Sequence, residues 1–255
     1  MIRTVNKGYL TLICADLDAM PLFSTNAKGE RFGYEPEVAQ MLAQQLDLKL
    51  KWLFTRWSEF ETVLLANKAD AIWCGCAITQ GRKERLLFSR PYAAFDESVL
   101  VRDDSQVAKP ADLKGLKVAA IAGSTNMTLA EAWLGCLPIA FSGQSDDVFA
   151  DMVNALSNSD VDAVVDDEPA FGALLKDPRY KLAFTINTAN LWGGAMLKHQ
   201  SQLKQALDLA LNHLIDTGLL ADIWGRHLEG IAYPCLLYTS PSPRDVEESR
   251  MPSSA

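Results

Sequence analysis

Histidine is scarce. The 255-residue chain has three, His199, His213 and His227, all late in the sequence. That leaves the earlier segments without the usual general base, and no serine has a visible base partner. Cysteine is present in an odd, scattered set of five: Cys14, Cys74, Cys76, Cys136 and Cys235. Neither a disulfide framework nor a metal site follows from that number and spacing, because a metal site wants more ligands close by. The cysteines read as small buried apolar side chains, with Cys74 and Cys76 on one face of a strand. No metal and no cofactor is expected. Positive charge is also short: 24 Lys and Arg stand against 32 Asp and Glu, a net charge of −8, so a nucleic-acid partner is not expected. No apolar run approaches the ~18 residues of a membrane-spanning helix. The opening, MIRTVNKGYLTLICADLDAM, lacks the basic, apolar, small-residue order of a signal peptide. Two readings remain open there: a cytosolic protein, or a chain whose leader has been removed.

What is present is an ordinary globular composition, 49% hydrophobic and 22% charged, enough for one or two cores. Apolar strands and amphipathic helices alternate along it. Gly8–Ala15 reads as an inner strand, and Val38, Met41, Leu42 and Leu46 recur at helical spacing behind Gly33 and Pro36. Leu48–Phe54 alternates as a strand. Ser58 to Glu61 has the pattern of a capping box, which predicts a helix from Ser58. Trp57 lacks a staple partner in that helix, because position 62 is Thr62. Further strands are expected at Ala71–Trp73, Glu97–Arg102, Leu116–Ile121, Ile139–Phe141, Val161–Val165, Leu182–Ile186 and Leu191–Leu197. After Ala122–Met127, helical spacing runs through Leu129, Trp133 and Leu134, and again over Val148–Leu156, Leu203–Leu214 and Leu219–Leu228. From Cys235 the chain becomes rich in Ser and Pro without periodicity, so residues 235–255 read as a non-native, disordered tail.

Three places carry chemistry. In Ala71–Tyr92, Cys74, Gly75, Cys76 and Ala77 are small and leave backbone near any ligand. Thr79 caps the next turn and Arg82 follows three residues later. The Arg82 guanidinium suits a carboxylate, whose two oxygens match its fork; a solvated arginine beside Lys83 and Arg85 is an equally good reading. Gly123-Ser124-Thr125-Asn126 joins a strand to a helix, which makes either an anion site of free N–H groups or a plain N-cap. Asp166-Asp167-Glu168-Pro169 ends a strand with three acids, consistent with a solvated turn in which Glu168 is exposed. Asp16, at the end of the first strand, is either a cleft residue or a turn-stabilising one.

Taken in order, these motifs resemble one family. Ile78-Thr79-Gln80-Gly81-Arg82 followed by Leu87-Phe88-Ser89-Arg90-Pro91-Tyr92 is similar to the signature of periplasmic solute-binding proteins of amino-acid ABC transporters, and co-linear matches run from about Gly8 to Leu228. The resemblance implies an α/β fold of two Rossmann-like lobes joined by two hinge strands, the type II periplasmic-binding-protein fold. Residues 1–97 and 193–234 would form the first lobe and 98–192 the second. It implies a monomeric extracytoplasmic receptor that closes on a free amino acid and passes it to an ABC transporter permease. Arg82, with Ser124, Thr125 and Asn126, would hold the α-carboxylate and Asp167 the α-ammonium. Asp166 would face the side chain, Trp57 would be an aromatic platform, and Asp16, Gly75 and Ala77 would line the cleft. Two positions depart from the pattern: Ala19 stands where an aromatic is common, and Ala77 where a hydroxyl helps hold the ammonium. With Asp16, Asp18 and Asp166 near the cleft, a polar or cationic amino acid is expected rather than an acidic one. A few charge-assisted hydrogen bonds of roughly 1.5–3 kcal/mol each would support micromolar affinity. A cyclohexadienyl dehydratase on the same fold, or a sensing domain of a longer protein, is the alternative.

Overall fold

A six-residue strand, Tyr9–Cys14 (β1), is buried at every position but the first and lies inside a five-stranded sheet. Continuous burial explains why it reads YLTLIC rather than alternating: a strand covered on both faces has no solvent side to mark. The computed structural model describes residues 2–237. In chain order its other strands are Ser24–Thr25 (β2), Arg31–Phe32 (β3), Lys49–Phe54 (β4), Ala71–Ile72 (β5), Leu86–Phe88 (β6), Ala93–Arg102 (β7), Lys117–Ile121 (β8), Leu137–Phe141 (β9), Ala163–Asp167 (β10), Tyr180–Trp192 (β11) and Ala195–Leu197 (β12). The helices are Tyr34–Gln45 (α1), Phe60–Leu65 (α2), Gln80–Arg85 (α3), Thr125–Ala132 (α4), Val148–Ser157 (α5), Ser201–Asp216 (α6) and Leu219–His227 (α7).

The first sheet has the order β4-β1-β5-β12-β6 and the second β11-β7-β10-β8-β9. Every strand of the first sheet comes from before residue 89 or after 194, and every strand of the second from the middle of the chain. The chain therefore forms two α/β lobes. Parallel β1, β4 and β5, and parallel β8, β9 and β10, aim their carboxyl ends at the space between the lobes. Open sheets bind ligands there.

The link is a pair of long antiparallel strands. β7 and β11 pair from Ala93 opposite Trp192 to Arg102 opposite Tyr180. The expected strands at Leu182–Ile186 and Leu191–Leu197 are instead one strand with two register shifts, broken only at Gly193-Gly194. Crowding explains the break: a Cβ on Gly193 would lie 2.8 Å from Ile78 Cδ1, and one on Gly194 would lie 2.9 Å from Trp73 Cζ3. Trp73 stacks on Tyr92 at 4.1 Å, Phe95 stands edge-on to Trp192 at 4.8 Å and Phe95 stacks on Trp224 at 5.1 Å, so the base of the link is aromatic.

Local signals explain most boundaries. Thr79 accepts from Arg82 N at 3.2 Å and caps α3, while Asp147 caps α5 through Ala150 N at 2.9 Å. The capping box at Ser58 does not form. Trp57–Glu59 is a 3₁₀ turn, α2 starts at Phe60, and Glu61, the acid of the expected box, pairs with Arg85 at 2.9 Å instead. Ser58 N is drawn to Gly143 O of the other lobe at 3.2 Å, and Trp57 finds a local partner in Phe60, 5.2 Å away. The strand before Cys74 stops at Ile72, so Cys74 and Cys76 sit in a bend around Gly75 rather than on a strand face. α4 ends at Ala132, leaving Leu134 94% exposed. At the far end Cys235–Leu237 is a 3₁₀ turn. Leu237 is buried and its carbonyl accepts from Arg90 Nη2 at 2.8 Å, so packing continues three residues past the expected start of the tail. The tail expectation for 238–255 lies outside the described residues. Cys14, Cys74, Cys76 and Cys136 are buried, Cys235 is exposed, and all five are free thiols.

Candidate functional site

A cavity lies between the lobes, lined by residues from both. The first lobe supplies the β1 end and the loop after it (Leu17, Ala19, Leu22, Phe23), with Trp57, Gly75, Ala77 and Arg82. The second supplies Ile121, Ser124, Thr125 and Asn126 at the start of α4, Phe149 of α5, Asp166 and Asp167 at the end of β10, and Ala170. Trp192, at the end of β11, closes the base. Nine of the ten residues singled out from the sequence therefore meet in one cavity. The tenth, Asp16, is exposed and lines no part of it.

Arg82 stands at the cavity mouth, fixed by Nη1 on Ala77 O at 3.0 Å and by Nη2 on Gly123 O of the opposite lobe at 3.3 Å. Both acceptors are neutral carbonyls, so the positive charge has no carboxylate within 4 Å among the described residues. Across from it the Gly123–Asn126 turn opens α4. Ser124 is used up as the cap: its hydroxyl donates to Ile121 O at 2.7 Å and accepts from Met127 N at 3.0 Å. Thr125 Oγ1 accepts from Asn190 Nδ2 at 3.1 Å and keeps its own hydrogen to give. The N–H groups of Thr125 and Asn126 fall in the first turn, where no helical carbonyl can reach them. Together with the helix dipole they form an anion-binding corner facing Arg82.

The opposite charge lies on β10. Asp167 is 6% exposed and pairs in the ladder with Glu97 of β7, itself 3% exposed. Like charges directly opposite each other on a sheet are unfavourable. Burial pushes the Asp167 carboxyl well above its usual range, with Asp166 and Glu97 adding to the push and Asn190 and Asn126 opposing it. Asp166 is raised to about 7, chiefly by burial and then by Glu97, although it accepts from Asp167 N at 2.8 Å and Asn126 Nδ2 at 3.1 Å. Glu168, expected to be exposed, is half-buried, and burial and Asp96 raise its carboxyl as well. Asp166 and Asp167, with amide partners only, make a site that a cation would complete.

Beneath Gly75 lies a further buried acid. Glu35 of α1 accepts from Gly75 N at 2.9 Å and from the Tyr92 hydroxyl. Burial raises its carboxyl to about 7 against these hydrogen bonds. Glu35 fixes the Gly75 peptide, which has φ +57, in the cavity wall.

The lobes also touch directly around the cavity. Arg56 meets Asp146 at 3.3 Å and Asp18 N donates to Asp147 Oδ2 at 3.2 Å, beside the Ser58–Gly143 bond. Gly172 of the second lobe packs so closely on the first that a Cβ there would lie 2.9 Å from Pro21 Cδ.

A family model, bacterial extracellular solute-binding proteins, family 3, matches residues 12–229. The chain belongs to this family. Two family relatives match most of it. The histidine-binding periplasmic protein of Salmonella typhimurium is 28% identical over 84% of this chain and 85% of its own length. The lysine/arginine/ornithine-binding periplasmic protein of Escherichia coli is 28% identical over 85% and 88%. Among solved structures, a variant of ArgBP from T. maritima superposes with a TM-score of 0.78 and 25% identity over 87% of this chain and 96% of that one. The two-lobed type II periplasmic-binding fold is therefore the fold of this chain.

Several cavity residues carry no pattern that marks them in the sequence. Phe23, Phe149 and Ala170 sit inside ordinary apolar stretches, and Trp192 lies on a strand read only as a connection; Asn190, which bonds the lining residues Thr125 and Asp167, falls between two expected strands. Glu97 was placed at a strand start, but its position opposite Asp167 is set by antiparallel register.

Proposed function

We propose that this protein is an extracytoplasmic receptor that binds one free amino acid between its lobes and delivers it to an ABC transporter permease. The observation that carries this is the separation of charge across one cavity: Arg82 and the free N–H groups of α4 on one side, Asp167 with Asp166 and Glu97 on the other. A zwitterion matches both poles. Its carboxylate takes Arg82 and the Thr125–Asn126 corner, and its ammonium takes Asp167. Because Arg82 belongs to one lobe and the remaining groups to the other, only the closed form makes both sets of contacts, and ligand stabilises closure. The acidic wall favours a polar or cationic side chain over an acidic one. The named specificities of the histidine-binding and lysine/arginine/ornithine-binding relatives support the same preference. Among the described residues no helix is long and apolar enough to cross a membrane.

Titration calorimetry with the twenty amino acids tests the reading, with Arg82→Ala alongside. At least one amino acid should bind with micromolar affinity, and Arg82→Ala should weaken it about 100-fold or more, the loss of two charge-assisted hydrogen bonds. Silence from all twenty, together with turnover of a cyclohexadienyl acid, would replace the receptor by a dehydratase.

A further inference from the structure

This inference rests on the amino-acid reading and concerns the ligand's side chain. Most polar atoms of the cavity already have protein partners or face the zwitterion. Two do not: among the described residues, Asn126 Oδ1 and Trp192 Nε1 are buried with no hydrogen-bond partner. Both residues line the cavity, and they are 5% and 2% exposed. The orientation of the Asn126 amide is set by its surroundings, because its nitrogen must face the carboxylate of Asp166, 3.1 Å away, leaving the oxygen free. The Trp192 indole has a single polar atom, and that atom can only donate. Its ring is held by Phe95 edge-on at 4.8 Å and by Gly75, where an added Cβ would lie 3.5 Å from Cζ2. The apolar part of the cavity lining is Leu17, Leu22, Phe23, Ile121, Phe149 and Ala170. A buried polar atom left unmatched by the ligand weakens binding, and a site built to hydrogen-bond rejects ligands that lack the matching group.

We infer that Trp192 and Asn126 are the specificity-determining pair for the ligand's side chain, and that this side chain ends in a planar, uncharged head that accepts from Trp192 Nε1 and donates to Asn126 Oδ1. A carboxamide and a neutral imidazole both have that chemistry. An ammonium or guanidinium only donates and leaves Trp192 unmatched. A carboxylate only accepts, leaves Asn126 unmatched and stands beside Asp166. An aliphatic chain answers neither.

Calorimetry on the full chain at pH 8, where free imidazole is neutral, decides the matter. The ligands are glutamine, histidine, lysine, arginine, glutamate and the γ-methyl ester of glutamate. Glutamine or histidine should bind at least about tenfold tighter than lysine, arginine and glutamate, and which of the two leads tells carboxamide from imidazole. The ester keeps the acceptor and loses the donor, so it should bind about tenfold more weakly than glutamine. Trp192→Phe keeps a ring against Gly75 and Phe95 and removes one N–H. It should cost the preferred ligand about tenfold while lysine and arginine stay within about threefold. The inference is overturned if lysine or arginine binds tightest, or if Trp192→Phe weakens every amino acid equally or none. Should the variant fail to fold, the ranking of glutamine, ester and lysine on the unaltered chain still decides. Amino-acid binding without this ranking removes the pair and leaves the receptor standing, whereas no binding by any amino acid removes both.

Discussion

Glu35 in the first lobe and Asp167 in the second are both buried acids at the cavity, yet their surroundings differ in kind. Glu35 lies behind the wall, and the Gly75 N–H and Tyr92 hydroxyl both point at one of its oxygens. Asp167 lies in the wall, with Glu97 opposite and Asp166 adjacent, and only amides reach it. The first arrangement ties Gly75 and Tyr92 together behind the wall, with the second Glu35 oxygen buried and unpartnered among the described residues. The second is left incomplete by the protein and calls for a cation from outside. Neither burial nor an unpartnered oxygen by itself therefore marks a ligand group; what separates the two acids is that Asp167 lines the cavity and Glu35 does not.

The largest effect should come from treating the two acids alike. Glu35→Ala leaves the Gly75 N–H and Tyr92 hydroxyl unanswered in the interior and should lower unfolding free energy by about 3 kcal/mol in a denaturant titration. Asp167→Asn removes a charge that folding had to bury, so stability should hold or rise while amino-acid affinity falls about tenfold or more. Equal losses of stability in both variants would erase the distinction.

Next in size is the response to pH. Asp166 and Glu35 have ordinary values of 3.8 and 4.5, and burial raises each to about 7 in the folded protein. The folded state thus binds protons more tightly than the unfolded one. The stability this contributes is complete below pH 4 and is lost as pH rises toward and through about 7. Ligand-free protein should lose midpoint temperature across that window, and Asp166→Asn should remove part of the slope, about 1–2 kcal/mol. Saturating ligand should flatten the same slope, since its ammonium favours the ionised acids. A slope that the substitution and the ligand leave unchanged would place the titration elsewhere.

A smaller effect is expected at the seam. Gly172→Ala pushes a methyl group against Pro21 of the opposite lobe, a strain that opening relieves. Amino-acid affinity should fall roughly fivefold, about 1 kcal/mol, with the ligand-free melting temperature unchanged. Smallest of all is Asp16→Asn: the carboxyl is exposed and outside the cavity, so affinity should stay within about twofold.

Apolar strands in alternation with amphipathic helices sufficed to read two α/β lobes, because the continuous apolar run of β1 and the helical periods of α5 and α6 are recorded in local sequence. The charged poles were readable for a related reason: Arg82, Thr125 and Asp167 sit at strand ends and helix starts, where short motifs fix the backbone. Features that depend on distant segments could not be read that way. The capping box at Ser58 lost to a bond with Gly143 some 85 residues on, a contact between lobes that no local pattern encodes. Glu97 and Trp192 entered the site through the register of β7 and β11, in which a shift of one residue would turn either side chain to the other face. Ser124 was read as a ligand group or as a cap, and its hydroxyl is committed to the cap.

The burial of four of the five cysteines has a practical consequence. Burial raises the Cys74 thiol to about 12 and the Cys76 thiol to about 11, and it raises Cys14 and Cys136 as well. At neutral pH these thiols are protonated and shielded, so a maleimide dye offered to the native chain meets one accessible sulfur, that of Cys235. The unaltered protein thus carries its own single attachment point for a fluorophore. Opening and closing could be followed by light without first engineering a cysteine-free background.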